Sequence, residues 1–129
     1  MNKRNTFWAV MLLLSVCFTF SCNKEASEPA VTIAAPLVDD QFSNGQVITI
    51  KGEASDDENL HSLSIKITDD KTGAVLFSET PSVHDLKTYT FNTSWTSKVN
   101  DWTDATVTVT AVNHDDLTTI KTVKIKIWL

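Results

Sequence analysis

Alternating apolar and polar side chains mark the stretch from Ala105 to Ile127 as two β-strands joined by the acidic turn HDDL. The apolar positions are Val107, Val109 and Ala111 in the first run and Val123, Ile125 and Ile127 in the second, with threonines and lysines between them. A period of two places the aliphatic side chains of a strand on one face. The stretch therefore predicts a hairpin with one buried face, which a second sheet must cover.

The same pattern predicts five strands upstream of this hairpin. They are Val31–Ala35, Gln46–Glu53, Ser62–Thr68, Ala74–Ser78 and Lys87–Trp95, with Ile48, Ile50, Leu63, Ile65, Ile67, Tyr89, Phe91 and Trp95 facing inward. Pro36 ends the first strand, and Ile120, out of phase with Val123, indicates a bulge near Lys121–Thr122. Seven short strands separated by turn signals, with no helical pattern after residue 22, predict an all-β fold: a seven-stranded immunoglobulin-like antiparallel β-sandwich.

The N-terminus has the pattern of an export signal. Lys3 and Arg4 precede an apolar run of 14 residues, Phe7–Phe20, which is too short to span a bilayer comfortably. We therefore expect a cleaved N-terminal signal peptide over residues 1–21, a cysteine and flexible polar tether over residues 22–30, and one folded domain over residues 31–129.

The segment Thr19-Phe20-Ser21-Cys22 resembles the lipobox of bacterial lipoproteins. The resemblance implies that Cys22 is diacylated, becomes the mature N-terminus and anchors the chain in a lipid bilayer. A second candidate, Leu14-Ser15-Val16-Cys17, has the leucine of the box but a bulky valine before the cysteine. The alternative is an ordinary secretory signal with an incidental cysteine.

Two longer segments carry a second resemblance. GQVITIKGEASDDENLHSLSIKITDDKTGAVLF and VTVTAVNHDDLTTIKTVKIKI resemble the Ig-like, cadherin-type or PKD-type domains of small Bacteroidota lipoproteins, including families of unknown function. The likeness covers residues 31–129 and lies in strand spacing and in the "G.A.D" and "tvtAvN" segments. It implies a lipid-anchored protein of the bacterial cell envelope, in the outer membrane or exposed at the surface, and it implies a fold rather than an activity.

Composition narrows the function classes. Without residues 1–21, which hold Lys3 and Arg4 and no acid, the chain has 9 basic and 16 acidic residues, a formal charge of −7. Such a domain repels nucleic acid and anionic lipid. The predicted domain holds no cysteine and none of the GxSxG, HExxH or P-loop motifs, so we expect no disulfide, no thiolate chemistry and no enzyme.

The predicted strand order brings three loops to one end of the sandwich. These loops hold Asp56, Asp57, Glu58 and His61; His84 and Asp85; and His114, Asp115 and Asp116, which include every histidine of the chain. Carboxylates from several loops favour Ca²⁺, and the predicted ligands are Asp56, Asp57, Glu58, Asp115 and Asp116. The alternative is that these acids only cap turns; mixed histidine and aspartate ligation of Zn²⁺ has no recognisable spacing here. No other cofactor is expected.

Three tryptophans gather at the opposite end. Trp95 is in phase with the core, Trp128 is out of phase with its apolar neighbours and Trp102 lies in a loop. Trp102 and Trp128 are therefore the predicted contacts for a partner, unless they fold over the core as a lid. The predicted function is a membrane-anchored, non-enzymatic module for binding, adhesion or assembly with an envelope protein. The alternatives are a glycan-binding accessory protein and a Ca²⁺-stabilised cadherin-like module.

Overall fold

The structure is a computed structural model that describes residues 25–129, and these residues form eight β-strands. The strands are β1 (Ala30–Ala35), β2 (Asp40–Ser43), β3 (Val47–Ser55), β4 (Leu60–Asp69), β5 (Val75–Glu79), β6 (Thr88–Thr96), β7 (Thr103–Asn113) and β8 (Thr118–Trp128). Within residues 25–129 no helix is long and apolar enough to cross a membrane. The predicted signal peptide and Cys22 lie outside the described residues.

Two sheets pack face to face. One has the order β1-β3-β6, and the other has the order β2-β8-β7-β4-β5. Neighbouring strands are antiparallel except for β2 and β8, which run parallel. The predicted hairpin is confirmed as β7 and β8, and the predicted all-β sandwich is confirmed with it. The predicted count of seven strands is wrong because β2 adds an eighth.

The sequence did not predict β2 because the hydrophobic pattern of this strand is weak. It has four residues, and the preceding Leu37 and Val38 are exposed rather than buried. Its partner is distant in the chain: Asp40 lies opposite Ile125, and the pairing continues to Ser43 and Trp128. A short strand that pairs in parallel with a partner so far along the chain leaves no local pattern.

The core follows the period of two. Ile48, Ile50, Leu63, Ile65, Ile67, Val107, Val109, Ala111 and Ile127 are fully buried, with Ile125 and Phe91 nearly so. Tyr89, Trp95 and Val123 are half-buried and pack against this core. The predicted inward faces are thus confirmed, although the aromatic side chains of β6 are less enclosed than the aliphatic ones of the larger sheet.

The bulge predicted at Lys121–Thr122 is wrong. Pairing between β7 and β8 runs without interruption from Thr103 opposite Ile127 to Val112 opposite Thr118. Ile120 is 60% exposed on the outer face. It is therefore out of phase with Val123 because it faces solvent, and not because the strand contains an extra residue. A register shift does occur in β4, where Leu60 faces Asn113 but Ser62 faces Val112, which leaves His61 as the extra residue of a β-bulge.

Candidate functional site

The start of β4 and the β5–β6 and β7–β8 loops meet at one end of the sandwich, the end that the strand order predicted, and they bring together His61, His84 and His114. We call this the histidine end. The ring centroids lie 5.3 Å apart for His61 and His84, 5.3 Å for His61 and His114, and 4.8 Å for His84 and His114. One potential ligand atom from each side chain lies within 4.8 Å of the other two. The rings meet edge to face and share one small volume.

Each histidine follows a residue buried in the protein. Leu60 is fully buried before His61, Val83 is 2% exposed before His84, and Asn113 is fully buried before His114. A buried side chain fixes its own position and turns its neighbour along an extended chain towards solvent. The bulge in β4 also re-aims His61, because a bulge bends the strand at the extra residue.

Main-chain hydrogen bonds connect these three segments. The amide of Asp85 donates to the carbonyl of Leu60 at 3.0 Å, and the amide of Leu60 donates to the carbonyl of Leu86 at 2.7 Å. The amide of His114 donates to the carbonyl of Asn59 at 3.3 Å. The backbone at the histidine end is therefore cross-braced, while the imidazole rings stay partly accessible: the side chains of His84 and His114 are 56% and 35% exposed.

Asp85 bridges two of the rings. Its Oδ2 lies 3.0 Å from Nδ1 of His84, and its Oδ1 lies 3.0 Å from Nε2 of His114. The side-chain hydrogen bond from His84 lowers the pKa of the Asp85 carboxyl, desolvation opposes it, and the charges of both histidines and a hydrogen bond from His114 lower the pKa further. The carboxylate is therefore ionised at neutral pH and orients both imidazoles.

Asn113 and Asp56 form a buried hydrogen-bonded pair, which we call the hub, and this pair supports the histidine end. Nδ2 of Asn113 donates to Oδ2 of Asp56 at 3.1 Å and to the carbonyl of Ser27 at 2.8 Å. Oδ1 of Asn113 accepts from the amides of Asp115 and Leu117 at 3.1 and 3.0 Å. The hub joins the "G.A.D" and "tvtAvN" segments, so both segments have a structural task. It also holds Ser27, which precedes β1, at the histidine end.

The predicted Ca²⁺ ligands do not converge as the three histidines do. Asp56 is 8% exposed, and its carboxylate accepts from Asn113 and from the amide of Glu58 at 2.7 Å. Asp57, Glu58, Asp115 and Asp116 are exposed in the loops around the histidines. Within residues 25–129, three or more possible metal-ligating side chains converge at the histidines and not at these acids. The Ca²⁺ site stays a prediction.

Sequence reasoning placed the histidines correctly but did not choose them as the site. The available signal was that all three histidines of the chain fall in loops at one end. What it lacked was the burial of Val83, which sets the position of His84 within an eight-residue loop between β5 and β6. Spacing along the chain carries no trace of that contact.

The opposite end carries an exposed aromatic pair, Trp102 and Trp128, which we call the tryptophan end. The two indoles stack with centroids 4.8 Å apart and an interplanar angle of 6°. Trp102 is 53% exposed and Trp128 is 40% exposed, so the predicted exposure of Trp128 is confirmed. The pair continues the β7–β8 register one step beyond Thr103 and Ile127, which makes it a cross-strand pair at the end of the sheet.

Strand β2 and the turn after it hold this pair. Nε1 of Trp128 donates to Oε1 of Gln41 at 3.2 Å, and the amide of Asn44 donates to the carbonyl of Trp128 at 2.6 Å. Oδ1 of Asn44 accepts from the amide of Val99 at 2.9 Å, in the loop that leads to Trp102. The strand that the sequence did not reveal therefore fixes both tryptophan-bearing segments.

Carboxylates surround the indoles. An open depression beside Trp102 is lined by residues 69–72 and 101–104, which include four aspartates. Among them, the pKa of Asp69 is lowered by hydrogen bonds from the Thr72 side chain and the Lys71 amide, and Asp70 pairs with Lys124 at 3.1 Å. The tryptophan end is thus a flat apolar surface bordered by the aspartates of this depression, which we call the acidic rim.

The two-sheet sandwich with long loops at its ends defines an Ig-like module. The bacterial Ig domain family matches residues 29–111, and the chain belongs to this family. No curated protein sequence matches the chain.

Two solved structures are similar in fold. One is of fibronectin(III)-like modules of Clostridium thermocellum CbhA, with 20% identity and a TM-score of 0.53, covering 78% of this chain and 47% of that chain. The other is CopC from Methylosinus trichosporium OB3b, with 10% identity and a TM-score of 0.47, covering 77% and 94%. The chain spans about half the length of the first structure. The first likeness supports the fold alone, and the second carries no argument.

Proposed function

We propose that this chain is a lipid-anchored, non-enzymatic binding module of the bacterial cell envelope, and that its tryptophan end meets the partner. The observation that carries the proposal is the exposed, stacked pair of Trp102 and Trp128 at the end opposite the tether. Membership of the bacterial Ig domain family supports the non-enzymatic part, because such domains typically serve as modules without catalysis.

The pair has the properties of a binding anchor. Exposed aromatic rings offer large apolar area with few rotatable bonds, and tryptophan is enriched among the residues that dominate interfaces. The mutual stack and the Gln41 hydrogen bond already restrict both rings. Binding would therefore lose little side-chain entropy, which favours affinity.

The position of the tether presents this pair outward. Ser27 is bound to Asn113, and Ala30 pairs with Ser55 at the start of β1, so the chain enters at the histidine end. Strand β7 runs from Thr103 beside the tryptophans to Asn113 beside the tether, a length of about 35 Å at the usual rise per residue. If Cys22 is in the bilayer, the tryptophan end is the far end.

Site-specific cross-linking in intact cells tests the partner. A photo-reactive residue at Leu129, beside the pair, should capture an envelope protein, and Trp102→Ala with Trp128→Ala should reduce that capture at least tenfold. Ile120→Ala is the matched control, because Ile120 is as exposed but lies at the other end of β8. Equal capture by the double variant and the control would contradict the proposal.

A glycan is the second candidate partner, and the acidic rim favours it. Sugar rings stack on flat aromatic faces, and the carboxylates that line the depression beside Trp102 can accept hydrogen bonds from hydroxyls. Affinity electrophoresis through gels containing bacterial or plant polysaccharides would show retarded migration that Trp102→Ala abolishes. Retention by one polysaccharide without a captured protein favours the glycan; a captured protein without retention favours the envelope partner.

A further inference from the structure

We propose that His61, His84 and His114 form a binding site for an imidazole-preferring divalent transition metal, zinc or copper. The site lies at the opposite end from the tryptophan pair and does not depend on the partner proposed there. All three histidines of the chain contribute, one from the start of β4 and two from separate loops, and one potential ligand atom of each lies within 4.8 Å of the others.

The three histidine ligand atoms need to move only a short distance to bind one metal ion. A tetrahedral Zn²⁺ with nitrogen ligands at about 2.0–2.1 Å holds neighbouring nitrogens about 3.4 Å apart. The separation of at most 4.8 Å must therefore shrink by no more than about 1.5 Å. Rotation of exposed imidazoles can supply this closure while the backbone, braced through Leu60, Asn59 and Asp85, stays in place.

The ligand type selects the metal. Neutral imidazole suits zinc and copper, whereas Ca²⁺ and Mg²⁺ require six or more oxygen ligands or an octahedral oxygen shell. Asp85 completes the arrangement, because a carboxylate hydrogen-bonded to metal-ligating histidines fixes their orientation and raises their basicity. Its oxygens contact His84 and His114 at 3.0 Å each.

The surrounding charge favours a cation. Asp115 and Asp116 lie in the loop of His114, Asp57 and Glu58 lie in the loop just before His61, and acids exceed bases by seven over residues 22–129. A surface of one sign raises the local concentration of the opposite ion. The acidic loops thus attract the cation, and the nitrogens between them bind it.

Titration of the full chain in detergent, purified with a tag that contains no histidine, tests the proposal. Calorimetry should show one Zn²⁺ or Cu²⁺ per chain with micromolar or tighter affinity, and millimolar Ca²⁺ or Mg²⁺ should neither bind there nor compete. In ¹H–¹⁵N spectra of the imidazoles under Zn²⁺, the signals of all three histidines should shift together, which reports the ligands without any substitution.

Variants assign the ligands. His61→Ala, His84→Ala and His114→Ala should each weaken Zn²⁺ binding at least about 100-fold, and Asp85→Asn about 10-fold to 100-fold. Asp115→Asn, in the loop of His114, is the matched control and should bind within twofold of the wild type. No variant changes a cysteine, so thiolates cannot explain a loss. Melting curves without metal establish that each variant is folded.

Three results would overturn the proposal. One is an unchanged set of imidazole signals with both Zn²⁺ and Cu²⁺. Another is a triple histidine variant that is folded and binds as tightly as the wild type. The third is binding of Ca²⁺ that Asp115→Asn removes and the histidine variants leave intact, which would identify an oxygen site in its place.

Discussion

The two ends of the sandwich present their exposed side chains in different ways. At the tryptophan end the stacked pair continues the regular register of the β7–β8 hairpin. At the histidine end the rings depend on departures from regularity: a bulge at His61, a buried valine within a loop, and a turn organised by Asn113. The stacked indoles need only two strands in register, whereas the three histidines come together from the start of β4 and from two loops.

The backbone differs between the ends as well. At the tryptophan end two of the left-handed positions are glycines, Gly45 and Gly73, and a third is Asp39, with a φ of 64°, which lies beside Asp70 and Asp104. At the histidine end Asn59, Asp85 and Asp116 adopt positive φ angles of 87°, 67° and 61°. A side chain in that region costs more than glycine, although asparagine and aspartate tolerate it best. Asp85 occupies such a position and its side chain contacts both His84 and His114.

The largest expected effect concerns the proposed lipid anchor, which would decide which end faces a membrane. If Cys22 carries two or more lipid chains, each contributes about 0.8 kcal/mol per buried methylene, so the anchor is effectively permanent. Cys22→Ala should release the protein from membranes or block its processing, and should abolish labelling by radioactive palmitate. Wild-type protein in the soluble fraction with a free thiol would contradict the anchor and leave both ends equally accessible.

The second-largest expected effect is the loss of stability when the hub is removed. Asn113→Ala deletes four hydrogen bonds at a fully buried position, each with a net contribution of about 1 kcal/mol, so unfolding free energy in urea should fall by about 4 kcal/mol. Zn²⁺ affinity should fall with it, because the turn carrying His114 loses its support. The exposed Asn92, on β6, is the control: Asn92→Ala should cost less than about 0.5 kcal/mol. A similar small loss for Asn113→Ala would mean that the loops hold without the hub.

A smaller effect distinguishes the tryptophans. Trp95 packs against the core, so Trp95→Ala should cost about 3 kcal/mol through cavity formation. Trp128→Ala removes an exposed ring and one stack, and should cost about 1 kcal/mol. Urea denaturation measures both. If Trp128→Ala or Trp102→Ala costs as much as Trp95→Ala, the pair is a lid on the core and the distal binding face loses its support.

The sequence predicted most of the fold because inward and outward residues alternate so regularly. Its one misplaced bulge is instructive, since two pairs of apolar residues share the same spacing of three. Ile120 and Val123 in β8 suggested an extra residue, yet Ile120 is exposed and the register is continuous. Leu60 and Leu63 in β4 are both fully buried, and there the bulge exists. The spacing alone does not reveal whether both residues are inside.

The tryptophan pair and the histidine cluster were not equally predictable from the sequence. In the continuous register that follows the turn HDDL, Trp102 and Trp128 fall opposite each other, and only the wrongly predicted bulge hid this pairing in the sequence. The convergence of the histidines could not be read from the sequence, because it depends on the burial of Val83 and on main-chain bonds between loops. Loop positions set by tertiary contacts have no periodic signal.

The smallest expected effects concern the residues at left-handed positions at the two ends. Gly73→Ala should destabilise the domain by about 1 kcal/mol; a methyl group there meets no atom within 4 Å, so the loss reports the backbone alone. Asp116→Gly should stabilise it by about 0.5 kcal/mol for the opposite reason. Asp85→Gly relieves the same backbone cost but removes the carboxylate that orients His84 and His114, so the domain should fold as well as the wild type while Zn²⁺ affinity falls about 10-fold to 100-fold. Urea denaturation and calorimetry measure the two quantities separately. If Asp85→Gly binds Zn²⁺ like the wild type, Asp85 is a turn residue without a role in the site.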